Sequence, residues 1–264
     1  MKKLNFLFSR SKQEQDKPIR DKLKTRKDFE RVLAEDLDIM ETTKARMDTA
    51  KNINLYMYRS LSYSYILILQ SKYSVDAKID ELRDIYIKSM HYFLQAFNKR
   101  NPIYADILNY VSLGVLLNIP DNNFRQLIDY VKQMDKQAKP SGWTPDLLLW
   151  FVLNSRMKEQ EKQKYAETLA YPRLYNGLYK AIQAPNAAAA KDALNKYLDR
   201  WYNLNSNAPW YNSHLKDNSY RGYWAWEVAA VAKIMHIDDS DLKNNQYYPY
   251  DMVHWENNET TAKE

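Results

Sequence analysis

The sequence contains no cysteine. That removes disulfides, thiolate nucleophiles and cysteine-ligated zinc or iron–sulfur centres, and it fits a protein with no need of an oxidising compartment. Glycine is nearly as scarce, with four in 264 residues, at positions 114, 142, 177 and 222. A GxGxxG dinucleotide fingerprint and a Walker A loop both need clustered glycines, so both are excluded. Proline adds only nine, and a chain so short of turn formers is expected to be mostly helical. No uncharged apolar run approaches the ~18 residues of a membrane-spanning helix. Residues 1–10 open like a signal peptide, but the apolar stretch ends at Phe8 and contains Asn5, too short for a hydrophobic region. A cytoplasmic protein with no membrane partner is expected.

The formal net charge is +6, and it lies at one end. Residues 1–31 hold eleven Lys/Arg and five Asp/Glu, whereas residues 32–264 hold 28 of each. The pattern is a basic, disordered leader over residues 1–21 on a neutral body, so direct nucleic-acid binding by the body is not expected.

Apolar residues recur at helical spacing along the rest. Phe29, Leu33, Leu37, Met40 and Met47 mark a helix from about Lys22. Ile53 to Leu69 marks a second, more buried stretch, with a break near Lys51-Asn52 left open. A third helix covers about 76–99. Proline then punctuates: Asn101-Pro102 and Thr144-Pro145-Asp146 read as caps followed by a helix, and Pro120-Asp121, Tyr171-Pro172 and Pro185-Asn186 each begin another. Lys139-Pro140-Ser141-Gly142 is the clearest loop, which divides the chain into helical subdomains over 22–139 and 140–256, with a frayed tail over 257–264. The most apolar helix is expected from Ser219 to His236, and Tyr248-Pro249-Tyr250-Asp251 nucleates a last turn. No segment alternates with period two. The expected fold is all-α, a multi-helix bundle of antiparallel helix pairs without a significant sheet, and a solenoid-like stack is the open alternative.

Catalytic patterns fail when tested. The histidines, at 91, 214, 236 and 254, have no HExxH spacing. Asp238-Asp239-Ser240-Asp241 breaks the DDxxD magnesium pattern at Leu242, and helix N-capping is the favoured reading of such a cluster. Asp217 to Val228 fails as an EF-hand because Val228 stands where a bidentate Glu is required. No enzyme activity, metal or cofactor is expected. Tyrosine numbers 22 and tryptophan seven, concentrated between 197 and 226. They read as a core tied by hydroxyls, with Trp210-Tyr211 as the pair best placed to anchor a partner.

The segments Tyr220-Arg221-Gly222-Tyr223-Trp224-Ala225-Trp226-Glu227, His236-Ile237-Asp238-Asp239-Ser240 and Tyr247-Tyr248-Pro249-Tyr250-Asp251 resemble, in this order, the C-terminal pattern of PoNi proteins. These are bacterial immunity proteins that pair with polymorphic nuclease effector toxins. Arg20-Asp21 and Tyr110 to Leu117 resemble the family's upstream part, so the likeness covers about residues 20–255. The resemblance implies an all-helical, non-catalytic protein whose partner is a cognate nuclease toxin. It would neutralise a DNase exchanged between bacteria, by type VI secretion or a related system, through stoichiometric occlusion. The carboxylates it singles out for the toxin's cationic face are Asp238, Asp239, Asp241 and Asp251, with Glu256 nearby and Trp210 and Tyr211 as anchors. Arg221, Gly222, Tyr223, Trp224, Trp226, Glu227, Tyr248 and Pro249 carry the structural pattern, and Glu227 is expected to pair with Arg221 or a tyrosine hydroxyl. A homodimer is left open. The alternative is a helical scaffold that binds nucleic acid or protein through the basic tail.

Overall fold

A computed structural model describes residues 18–97, 103–136 and 143–256. Most of the basic leader, the Asn101-Pro102 cap, the loop at 139–142 with its subdomain boundary, and the tail over 257–264 lie outside the described residues. Among the described residues there are ten α-helices and one isolated bridge, Asp146 to Thr168, in place of any sheet. The all-α expectation is therefore correct.

The chain begins with three helices in antiparallel succession: α1 (Arg26–Thr49), α2 (Leu55–Ser74) and α3 (Ile79–Ala96). The Thr25 side chain accepts from the Asp28 amide while Asp28 accepts from the Thr25 amide, a reciprocal cap that starts α1. The break near Lys51-Asn52 is real, and Asn54 caps α2 by accepting from the Met57 amide. Helix α4 (Tyr104–Leu116) is buried on nearly every side, with Ile107, Leu108, Val111 and Leu116 at its centre. It is followed by α5 (Asp121–Lys136), α6 (Leu147–Asn154), α7 (Pro172–Ile182) and α8 (Ala187–Leu204). Asp146 and Asn186 cap α6 and α8, and Pro172 stands in the first turn of α7. These starts match the proline punctuation of the sequence.

Helices α9 (Trp226–Met235) and α10 (Tyr250–Val253) complete the fold. Helix α9 packs on α4, and one continuous core runs from Phe29 to Val253. The solenoid-like alternative does not form, because a solenoid unit touches only its sequence neighbours. Lys233 of α9 donates to the carbonyls of Leu116, Met252 and Trp255 at 3.0–3.4 Å, joining the ends of α4 and α10. Burial draws its ammonium group down to about 8.

The long helix expected from Ser219 to His236 needs correction: only Trp226–Met235 is helical. Tyr220, Tyr223 and Trp224 are buried from a non-helical stretch that passes the end of α2. Gly222 has φ +107°, a region that side chains disfavour. A Cβ there would also overlap Ser74 Oγ and the Trp224 indole. The Ser74 hydroxyl donates to the Arg221 carbonyl at 2.9 Å and accepts from Trp224 Nε1 at 3.0 Å. The Ala225 amide donates to the Tyr247 carbonyl at 2.8 Å. Backbone groups that a helix would have used internally are taken up by these neighbours. The far end of α9 agrees with the sequence, because His236 is left-handed (φ 52°) and Ile237 N–H returns to the Ala232 carbonyl.

Candidate functional site

The acidic turn after α9 holds three of the carboxylates the sequence singled out, Asp238, Asp239 and Asp241. Asp239 precedes a 3₁₀ turn over Ser240–Leu242. Asp238 and Asp241 project into solvent, and both reach one lysine of α8: Lys191 Nζ lies 3.0 Å from Asp238 Oδ2 and 2.5 Å from Asp241 Oδ1. Hydrogen bonds from Ser240 and then Lys191 hold the Asp238 carboxyl down to about 2. Lys191 does the same, in direction, for Asp241. The turn therefore presents two carboxylates that stay ionised, sharing one ammonium.

Asp239 goes the other way. It is 2% exposed and accepts from the Tyr248 hydroxyl at 2.7 Å, and its other oxygen lies 2.8 Å from His254 Nε2. It staples the turn to α10 and is not available to a partner. Asp251 is half-buried and bound to Arg20 at 2.5 Å and to the Tyr73 hydroxyl. Glu256 is exposed. Trp210 and Tyr211 are only partly exposed: Trp210 stacks on Trp201 with ring centroids 5.4 Å apart, and Tyr211 on Tyr202 at 4.5 Å. They cover an aromatic cluster rather than stand out from the surface.

The residues of the structural pattern converge on a seam between the first helices and the last segments. Arg221 forms a two-pronged pair with Asp36 of α1, Nε to Oδ2 at 2.6 Å and Nη2 to Oδ1 at 2.9 Å, both side chains buried. Trp224 contacts Tyr73 edge-on, as does Trp226. Arg20 also lies over the Tyr73 ring and donates to the carbonyls of Tyr73 and Ala77. Asp21 is buried, accepts from the Tyr220 hydroxyl, and burial raises its carboxyl. Arg20 and Asp21, placed in the leader by the sequence, are thus tied to the body. Tyr223 donates to or accepts from Ser213, His214 and Trp210. Pro249 is buried at the start of α10.

Glu227 does not pair with Arg221 or with a tyrosine. Asp36 holds the guanidinium, and Glu227 instead accepts from Trp201 Nε1 at 2.6 Å. Burial pushes its carboxyl up to about 7. The sequence analysis missed Asp36 and Lys191. Asp36 had a signal: it falls at helical spacing among Phe29, Val32, Met40 and Thr43, a carboxylate on the buried stripe of α1. Lys191 had none, because its role depends on α8 lying beside the turn.

Among the described residues no cluster of three or more His, Asp or Glu side chains has the arrangement of a metal site. No helix there is long and apolar enough to cross a membrane. The geometry is that of an interior cross-braced between the first helices and the last segments. The family model described as "PoNe immunity protein (PoNi), N-terminal" matches residues 11–129, and that described as "PoNe immunity proteins (PoNi), C-terminal" matches residues 144–252. The chain belongs to the PoNi family. The resemblance read from the sequence is correct, and a PoNi protein implies an immunity role with a toxin as its protein partner. The seam gives the two matched parts a physical link, because Asp36–Arg221, Tyr73–Asp251 and Ser74–Trp224 each join one part of the PoNi pattern to the other. Among solved structures, protein PA2201 from Pseudomonas aeruginosa superposes with a TM-score of 0.68 at 18% identity, over 90% of each chain. That likeness shows the fold alone. No curated protein matches the sequence.

Proposed function

We propose that this PoNi protein binds a cognate DNase toxin in the cytoplasm and neutralises it by stoichiometric occlusion, within type VI secretion or a related polymorphic-toxin system. The observation that carries this reading is the match to both PoNi family models in their proper order. The mechanism needs no reacting group in the immunity protein. It needs a surface that excludes substrate and a complex tight enough to keep free toxin scarce.

The internal pattern supports a division of labour. Arg221, Trp224, Trp226, Asp239 and Tyr248 face inward and maintain the shape, which leaves recognition of a particular toxin to exposed groups. Asp238, Asp241 and Glu256 are such groups, with Asp251 at the edge. A cationic side chain of the nuclease would compete with Lys191 for the two turn carboxylates, so this patch gains an ion pair only by exchanging one. Its contribution is to orientation and association rate more than to affinity.

The test is co-expression of the full chain with the toxin encoded beside it. Host survival, together with a complex of fixed stoichiometry on size-exclusion chromatography, is the expected result. Death of the host with both proteins soluble would overturn the reading for that toxin. Survival without a complex would overturn stoichiometric occlusion.

A further inference from the structure

The acidic turn explains little of how a neutral body holds a nuclease, and a different surface has the opposite charge. Helices α7 and α8 pack side by side and leave a groove of about 860 Å³. Its floor is apolar, built from Leu174, Gly177, Ala193 and Leu204. Gly177 sets the depth: a Cβ there would lie 2.9 Å from the Tyr197 ring, so the two helices meet closely at this point. The rim carries Arg173 and Lys180 from α7 and Arg200 from α8, all exposed. None of these three side chains has an ion pair or hydrogen bond among the described residues. Lys196 on the same rim is neutralised by Asp192 at 2.7 Å, and Asp199 is the remaining acid.

The spacing follows from the helices. Arg173 and Lys180 stand seven residues apart, two turns or about 10 Å along α7. Because α8 runs back along α7, Arg200 shares the Arg173 end and Asp192 shares the Lys180 end. The groove is thus apolar along its length with unpaired cations toward both ends.

We propose that this groove docks an acidic, partly apolar segment of the toxin. The inference rests on the immunity reading above and names the partner surface that reading left open. Charge complementarity selects the occupant. Apolar side chains of such a segment cover the floor, and its carboxylates meet Arg173, Lys180 and Arg200. A nucleic acid fits less well, because the groove lining offers no aromatic face on which a base could stack. Its one aromatic ring, Tyr197, is 3% exposed.

The experiment measures binding of the full-length protein to a catalytically inactive form of the adjacent toxin by calorimetry. The triple variant Arg173→Glu/Lys180→Glu/Arg200→Glu is expected to lose roughly 100-fold in affinity, since like charges across an interface cost several kcal/mol. Its melting temperature should be that of the wild type, because all three side chains are exposed. The chain has no cysteine, so Asn176→Cys places a single thiol on the groove for a photoreactive maleimide. The expected cross-link falls in an Asp/Glu-rich segment of the toxin. Wild-type affinity in the triple variant, with protection intact, would overturn the groove while leaving the immunity reading in place. Absence of toxin binding by the wild type would instead remove the immunity reading and the groove proposal with it. Duplex DNA binding that the triple variant loses while toxin binding holds would also overturn the proposal, in favour of a nucleic-acid site.

Discussion

Asp36→Ala is the sharpest test of the seam. The substitution removes two of the three hydrogen bonds of the Arg221 guanidinium, those at 2.6 and 2.9 Å, and leaves only the one to the Asn218 carbonyl at 3.0 Å. It also removes the only counter-charge, among the described residues, from a cation whose side chain is 9% exposed. Breaking a buried ion pair by deleting one partner costs about 3–5 kcal/mol. A folded chain of this length has an unfolding entropy of about 0.55 kcal/mol/K near its midpoint, so the expected fall in Tm is roughly 5–9 °C. Circular dichroism melts and urea titrations read both quantities. Arg221→Met, which strands the Asp36 carboxylate, is expected to cost a similar amount. With Asp36→Leu as the matching single variant, the double variant Asp36→Leu/Arg221→Met removes both charges at comparable volume and should recover most of the loss, giving a coupling of at least about 2 kcal/mol in the cycle. A drop in Tm below about 2 °C for Asp36→Ala, or additive single effects, would refute the view that this pair braces α1 against the C-terminal segments.

Three other outcomes follow from the same structure. Gly222→Ala should prevent stable folding, since it imposes both an unfavourable positive φ and overlap with Ser74 and Trp224; soluble, cooperatively melting protein would contradict the close approach. Burial raises the Glu227 carboxyl from its ordinary 4.5 to about 7. The folded protein therefore holds a proton the unfolded chain has released, and this group's contribution to stability falls as pH rises across that interval. Glu227→Gln should flatten the slope and melt above wild type at pH 8, and an unchanged slope would assign the pH dependence elsewhere. The acidic turn should divide: Asp239→Ala orphans the Tyr248 hydroxyl and costs about 1–3 kcal/mol, whereas Asp238→Lys/Asp241→Lys should leave Tm nearly unchanged and slow toxin association in stopped flow. Equal thermal stability of both variants would refute the inward placement of Asp239.

The main elements were legible because their signals are local. Helical spacing marked α1 to α3, proline marked the starts of α5 to α8, and the paucity of glycine and proline excluded a turn-rich β fold. The failure at 219–225 has the same origin. Tyr220, Tyr223 and Trp224 are as apolar as a core helix requires, and apolarity on all sides does not distinguish a buried helix from a buried extended strand of chain. What breaks the helix is the positive φ at Gly222 together with hydrogen-bond partners on Ser74 and Tyr247, far away along the chain.

The candidate site shows the same division. The sequence by itself determined the residue types, the order of the PoNi pattern and the clustering of acids after α9, all of which are properties of neighbouring positions. Only the tertiary structure decided which acid faces where. Asp238 and Asp241 lie in solvent beside Lys191, Asp239 lies beneath Tyr248, and Asp36 captures the arginine expected for Glu227. The unpaired cations of the α7–α8 groove became visible in the same way. Burial and charge pairing depend on distances between residues remote in the chain, and those distances are set when the helices pack.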